Sequence, residues 1–117
     1  MRIAATIAIA FVAVEHFGFL VLEMFLWTKP FGRRTFGLTP ELAQASAPLA
    51  ANQGLYNGFL GAGLVWSLVT GNRSVAIFFL VCVVVAGIFG AFTAKRTILW
   101  VQAAPAAAAL LLEIFAA

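Results

Sequence analysis

Charged residues are scarce in this chain of 117 residues: they make up 9% of it, whereas 64% of its residues are hydrophobic. A soluble domain of this length needs far more polar surface to stay dispersed in water. The scarcity of charge therefore excludes an ordinary soluble domain. The composition predicts an integral membrane protein.

Cysteine and internal repetition are also lacking. The single cysteine, Cys82, excludes a disulfide within the chain and a cysteine-based metal framework, and we interpret it as a packed core thiol. No repeat is visible, which argues against a transporter built from two inverted halves. The sequence indicates no metal site and no cofactor.

Four stretches are apolar enough to cross a bilayer, which takes about 20 mostly apolar residues per helix. They cover about 3–28, 49–70, 75–94 and 98–117. The first stretch is too long for a signal peptide, carries two acids and lacks a small-residue cleavage site. Short connections favour antiparallel neighbours. The predicted fold is therefore all-α, with residues 1–117 forming one domain, an up-down bundle of four transmembrane helices.

The one substantial loop lies between the first two spans. Pro30 and Gly32 are expected to end the first helix and turn the chain. Thr39–Glu41 is typical of a helix start, with a hydroxyl cap, a proline at the first helical position and an acid in the first turn. We therefore predict a short interfacial helix at about 40–46, which Pro48 separates from the second span.

Basic residues are divided unevenly between the two ends of the spans. Five of the seven lie in two loops, at 29–48 and 95–97, and only Arg2 and Arg73 lie on the opposite side. The positive-inside rule then predicts that both loops are cytoplasmic and both termini outside. A nucleic-acid partner is excluded because the positive charges stay at span ends and lack interleaved aromatic residues.

Ionisable residues interrupt the first span, in the stretch VEHFGFLVLEMFLW. At about 100° per residue, one helix face carries Glu15, His16 and Glu23, together with the aromatic Phe19 and Trp27. An ionised side chain at a helix centre costs about 2.5–3.5 kcal/mol on insertion scales, so such groups usually face a protein interior or a wet cavity. Glu15 is then protonated, paired with His16 or another polar group, or neutralised by a cation.

The second span has a polar face of its own. Its four polar side chains at 52, 53, 56 and 57 fall within an arc of about 140°, at a depth where they can meet the acid face of the first span. Gln102 in the fourth span lies at a similar depth. The predicted ligand-binding residues are Glu15, His16, Phe19, Glu23, Trp27, Asn52, Gln53, Tyr56, Asn57 and Gln102.

Small residues lie beside this second face. Gly54, Gly58 and Gly61 would let another helix approach closely. A bundle of this size is too small to enclose a transport path alone. We therefore predict that these glycines form the seam of a homo-oligomer.

Several of the polar groups also have a structural interpretation. Glu23 lies about one turn from Lys29, so an ordinary interfacial ion pair explains it equally well. Glu113 lies level with Arg2 near the outer end of the fourth span and is interpreted as a structural surface pair. The amides of the second span can serve to hold helices together. Glu15 and its neighbour at mid-depth are harder to explain without a function.

Four motifs, EHFGFLVLEMFLWTKPFGRRTFGL, LAANQGLYNGFLGAGLVW, AGIFGA and VQAAPA, resemble a family of small bacterial membrane proteins catalogued as domain of unknown function 1304. The resemblance covers nearly the whole chain. It implies four helices crossing the bacterial inner membrane and implies no biochemistry. The motif residues of the family coincide with Glu15, His16, Glu23, Trp27, Lys29, Arg33, Arg34, Asn52, Gln53, Tyr56 and Asn57.

Three functions stay open at this point, and the sequence leaves the question of enzymatic activity undecided. The favoured one is binding or proton-linked transport of a small cationic or amphipathic ligand, with the lipid bilayer and a second copy of the chain as partners. The second is an intramembrane isomerase for a lipid-like substrate, with Glu15 and His16 as acid and base and Tyr56 or Asn57 orienting the substrate. The third is an accessory subunit that docks through the polar face.

Overall fold

The computed structural model describes residues 2–116, and every regular element in that part of the chain is a helix. The elements are α1 (Arg2–Met24), α2 (Pro30–Phe36), α3 (Pro40–Thr70), α4 (Arg73–Thr93), a π-helical turn (Leu99–Ala103) and α5 (Ala104–Phe115). The all-α prediction is confirmed.

Two helices within residues 2–116 are long and apolar enough to cross a membrane: α1 with 23 residues, and α4 with 21, which corresponds to the predicted span 75–94. The apolar stretch Leu99–Phe115 is shorter. Only 28% of the most apolar stretch of α1 and 22% of that of α4 is buried. A core helix of a soluble protein is mostly buried, so the exposure of these two helices favours a membrane environment.

Contacts along the chain divide it into two compact units. The first combines the chain up to Val14 with the chain from Leu60 onward, and the second is Glu15–Phe59. The first unit has an apolar core to which α1, α3, α4 and α5 all contribute. Its buried members are Ile9, Val12, Ala13, Leu64, Ala76, Leu80, Val83, Ala106 and Ala109.

Two arginines join helix ends in the first unit. Arg2 donates to the carboxylate of Glu113, and Arg73 donates to the backbone carbonyl of Ile114. The first turn of α1, the first turn of α4 and the last turn of α5 therefore meet. The predicted pair of Arg2 and Glu113 is present. Glu113, however, is not a surface residue, since it is 2% exposed.

A single helix, α3, replaces the two predicted segments 40–46 and 49–70. Its start agrees with the prediction, because the backbone N–H of Leu42 donates to the Thr39 hydroxyl at 3.1 Å. The predicted break at Pro48 is wrong, since the helix continues through it. Proline removes one backbone hydrogen bond. The alanine, leucine and glutamine residues on both sides are strong helix formers and sustain the helix.

The loop after α1 contains a helix, α2, that the sequence analysis missed. α1 ends at Met24 rather than near 28, and Pro30 begins the next helix instead of only stopping the first. Proline suits the first helical position because no N–H is needed there. Gly37 ends α2 with φ of 65°, in the left-handed region that glycine adopts easily.

The fourth predicted span, 98–117, is not one regular α-helix, and residue 117 lies outside the described residues. The backbone N–H of Ala104 donates to the carbonyl of Leu99, five residues back, so the chain forms a π-helical turn before α5. Pro105 follows directly. In a regular α-helix its ring would clash with the carbonyl four residues earlier, and the wider turn relieves that clash.

Candidate functional site

The second unit carries nine of the ten predicted site residues, since all of them except Gln102 fall within Glu15–Phe59. Gln102 belongs to the first unit. There its side-chain Nε2 donates to the backbone carbonyl of Val83 at 3.3 Å. The described hydrogen bond of Gln102 therefore serves the packing of the π-helical turn against α4.

A hydrogen bond joins an acid of α1 to an amide of α3. Asn57 Nδ2 donates to Glu23 Oε1 at 2.6 Å, and Asn57 is 7% exposed. Among the described residues, no ion pair joins Glu23 to Lys29. The geometry therefore favours the interhelical contact over the interfacial ion pair as the role of Glu23.

Two glycines beside Asn57 set the distance between α3 and α1. A Cβ atom at Gly54 would lie 2.7 Å from Met24 Cγ, and one at Gly58 would lie 2.5 Å from Leu20 Cδ1. No larger residue fits at either position without displacing these side chains. The surface that we predicted for a second copy of the chain is therefore covered by α1 at Gly54 and Gly58.

Glu15 and His16 lie about two turns before Glu23 on α1. The His16 ring is fully buried and packs edge-on against Phe19, with 5.2 Å between ring centroids. Glu15 is half-buried, and its Oε1 atom is enclosed without a hydrogen-bond partner among the described residues. An enclosed carboxylate oxygen without a donor is costly, and a proton, a neutral donor or a positive charge nearby would each lower that cost.

The other polar residues of α3 do not share the buried position of Asn57. Asn52 and Gln53 are exposed, and Tyr56 is 52% exposed with its ring 6.1 Å from that of Phe59. The reason is geometric, because an arc of about 140° is wider than the strip of one helix that a neighbouring helix covers. Only part of the predicted face therefore contacts α1.

Trp27 has a hydrogen-bond partner that the sequence analysis missed. Its Nε1 donates to Ser46 Oγ at 3.0 Å, and its ring packs against Phe36 with 4.8 Å between centroids. Ser46 and Asn57 are 11 residues apart, which differs from three full turns by only about 20°. Helical periodicity therefore places Ser46 on the same face as Asn57 once α3 is continuous through Pro48.

The described residues contain no group of three or more histidine, cysteine, aspartate or glutamate side chains that could hold a metal ion. Where α1 and α3 meet in the second unit, the polar groups are the Glu15 carboxylate, the His16 imidazole and the Glu23–Asn57 pair. These can hold a proton, attract a positive charge and accept or donate hydrogen bonds.

Comparisons with known proteins match nearly the whole chain. The family described as "Protein of unknown function (DUF1304)" matches residues 10–114. The chain is 29% identical over 119 residues to the "Uncharacterized protein YpaA" of Lactococcus lactis subsp. lactis (strain IL1403), an alignment that covers 98% of this chain and 100% of the relative. No solved structure matches the chain. Neither description contains an activity.

Proposed function

The chain belongs to the DUF1304 family of proteins of unknown function, and from that premise we propose that it is a multi-pass protein of the bacterial inner membrane that binds a small cationic or amphipathic molecule. The proposed site is the acid-bearing part of α1, with Glu15 as the group that meets the positive charge. His16 and Phe19 shape the site, and the Glu23–Asn57 pair holds α3 against α1. Binding exchanges the ligand for a proton on Glu15.

Large apolar side chains on the helix surfaces support the membrane location. On α1 the exposed ones recur every three or four residues, at Ile3, Ile7, Phe11, Val14, Phe17 and Val21. α4 exposes Phe78, Val81, Val85, Ile88, Phe89 and Phe92. Soluble monomers rarely expose continuous apolar stripes of this length, whereas a lipid environment favours them because the backbone of a helix satisfies its own hydrogen bonds.

We propose four spans in an up-down arrangement: α1, the part of α3 after about residue 49, α4, and the π-helical turn together with α5. The distribution of positive charge supports external termini and cytoplasmic loops at 29–48 and 95–97. The contacts of Arg2 and Arg73 with the last turn of α5 agree with this arrangement, since the proposal puts all three helix ends on the outer side.

A labelling experiment tests this topology. Thr35 in α2 and Ser74 in α4 are both exposed, so each is changed to cysteine in a Cys82→Ala background. A maleimide that cannot cross membranes is expected to label the Ser74→Cys variant in intact spheroplasts and the Thr35→Cys variant only after lysis. Labelling of Thr35→Cys from outside would overturn the proposed orientation. Equal labelling of both variants from one side would show that no membrane span lies between residues 35 and 74.

One observation carries the ligand proposal: the enclosed Oε1 of Glu15 has no hydrogen-bond partner within residues 2–116. A carboxylate in these surroundings is stabilised by a proton or by a nearby cation. Glu15 cannot hold a proton and pair with a cation at the same time. Binding of the cation is therefore linked to release of the proton, and no second titratable group is required. The aromatic ring of Phe19 nearby suits a ligand that carries apolar groups around its charge.

Glu15→Gln is expected to weaken binding of tetraphenylphosphonium, a lipophilic cation, at least tenfold, about 1.4 kcal/mol. Glutamine keeps the shape and the hydrogen-bonding capacity of the side chain and removes its charge. Equilibrium dialysis and ligand-induced thermal shifts of the protein in detergent measure the effect. Glu41→Gln is the matched control, because Glu41 is an exposed acid in the first turn of α3. The Glu41→Gln protein is expected to bind tetraphenylphosphonium as tightly as the parent protein does.

The anion tetraphenylborate has nearly the same shape as the cation and the opposite charge. Comparing the two ions therefore distinguishes the effect of ligand charge on binding from the effect of ligand shape. The parent protein is expected to bind the cation and not the anion. Equal binding of both ions, or a Glu15→Gln protein that binds the cation as the parent does, would make Glu15 a structural group. Glu113→Gln is unsuitable as a control because Glu113 pairs with Arg2.

A further inference from the structure

A cavity of about 300 Å³ lies beside α2, within the second unit. It is lined by Pro30, Arg33 and Arg34 of α2 and by Gly37 and Leu38 of the turn that ends the helix. Two of the five lining residues are arginines. No acid occurs in the sequence between Glu23 and Glu41. The charged residues that line the cavity are therefore both basic.

Neither arginine is neutralised within the described chain. Residues 2–116 contain no ion pair that involves Arg33 or Arg34. The Nε atom of Arg33 is buried and has no hydrogen-bond acceptor among the described residues. Arginine does not lose its proton in proteins, so the buried N–H stays a donor that requires an acceptor.

The end of α2 does not supply that acceptor. Basic side chains in the last turn of a helix can interact with its free carbonyls. Here the N–H of Leu38 donates to the carbonyl of Arg33 at 2.9 Å, and the N–H of Gly37 donates to that of Arg34 at 3.4 Å. Both of these carbonyls already accept a hydrogen bond, and neither guanidinium group donates to a carbonyl within residues 2–116, so both groups can meet an external anion.

We propose that Arg33 and Arg34 bind a phosphate group in this cavity, carried by an anionic phospholipid headgroup or by a soluble phosphate ester. Guanidinium groups bind phosphate through paired N–H donors, and a phosphate group offers two adjacent arginines more acceptor oxygens than a carboxylate ligand would. This site is separate from the one at Glu15 and does not depend on it.

The surroundings favour the lipid as the source of the phosphate. Phe31, one position after the proline that begins α2, is 55% exposed. A cavity with two arginines and an exposed aromatic side chain on the same short helix matches a lipid headgroup together with the first part of its acyl chain. Lys29 adds a third positive charge directly before the helix.

The test uses the full-length protein in a neutral, phosphate-free detergent at about 0.15 M salt, which screens long-range attraction between charges. Thermal stability is measured against increasing dioctanoyl phosphatidylglycerol, dioctanoylglycerol, which lacks the phosphate, and glycerol 1-phosphate, which lacks the acyl chains. The anionic lipid is expected to reach half of its maximal stabilisation at a concentration at least tenfold lower than dioctanoylglycerol. Glycerol 1-phosphate acting at the same concentration as the lipid would identify a soluble ester as the ligand.

The variant Arg33→Gln/Arg34→Gln is expected to lose this tenfold preference. The control Lys95→Gln/Arg96→Gln removes the same charge from the other basic loop, where both side chains are exposed, and is expected to keep it. Arg34→Gln alone changes an exposed position and is expected to lose most of the preference. This single variant replaces the double variant in the test if the double variant does not fold. An undiminished preference in the arginine variants, or an equal loss in the control, would overturn the proposal.

Discussion

Replacing Gly32 by alanine is expected to lower the free energy of unfolding by about 3 kcal/mol, because α2 can no longer pack in its present position. Gly32 is buried, and a Cβ atom there would lie 1.8 Å from the carbonyl oxygen of Leu26 and 2.6 Å from its carbonyl carbon. Both atoms belong to the backbone, so no rotation of a side chain relieves the clash. The turn between α1 and α2 would have to move.

Gly18→Ala is the matched control for this substitution. It makes the same chemical change inside α1, where a Cβ atom meets nothing within 4 Å. Alanine is the better helix former by about 1 kcal/mol, so this variant is expected to be as stable as the parent or slightly more stable. Denaturant titration in detergent compares the two. Equal stability of Gly32→Ala and Gly18→Ala would contradict the close approach of α2 to Leu26.

Replacing Arg2 by methionine is expected to cost about 3 kcal/mol of unfolding free energy, because it leaves the buried carboxylate of Glu113 without its partner. Methionine keeps much of the length and apolar surface of the arginine stem. The loss therefore measures the unpaired charge more than lost packing. Stability is read from the same denaturant titration at neutral pH.

The double variant Arg2→Met/Glu113→Met distinguishes an unpaired charge from a lost contact. Replacing both partners of a buried pair by apolar residues is often close to neutral, so the double variant is expected to regain most of the stability that Arg2→Met loses. Arg73→Met removes only the bond to the backbone carbonyl of Ile114 and is expected to cost about 1 kcal/mol. A double variant as unstable as Arg2→Met would show that the charge of Glu113 is not the cause.

The features that depend on residue type and periodicity could be predicted from the sequence. The family, the all-α fold and the helix start at Thr39 follow from motifs, apolar stretches and capping chemistry. The contact between an acid of α1 and an amide of α3 also follows from periodicity. The sequence did not distinguish Asn57 from its polar neighbours, because the rotation of α3 about its own axis depends on packing at Gly54 and Gly58.

The effect of proline differs from the prediction at two positions. Pro30 is expected to stop a helix but begins α2, and Pro48 is expected to break a helix but lies inside α3. Whether a helix begins at a proline or continues through it depends on whether a backbone carbonyl one turn earlier requires the N–H that proline lacks. The residues around a proline determine this only in part. The π-helical turn before Pro105 adds a third solution, in which the backbone widens locally.

Small residues pose a different problem for sequence analysis. Gly54 and Gly58 indicate that some helix approaches closely, but the pattern is the same whether that helix belongs to the same chain or to another copy. The structure assigns the approach to α1 through Leu20 and Met24. A homo-oligomer therefore stays a prediction, and Gly54 and Gly58 do not favour it because side chains of α1 cover them.

The unbroken α3 is longer than a bilayer is thick. Its 31 residues extend about 46 Å at 1.5 Å per residue, whereas the hydrocarbon layer measures about 30 Å. In the proposed membrane location, roughly ten residues of α3 therefore project beyond the hydrocarbon, or the helix tilts. The projecting end contains Ser46, whose hydroxyl holds Trp27. In that membrane location, a change in bilayer thickness is expected to alter the tilt of α3, and the Trp27–Ser46 hydrogen bond links this tilt to the turn after α1.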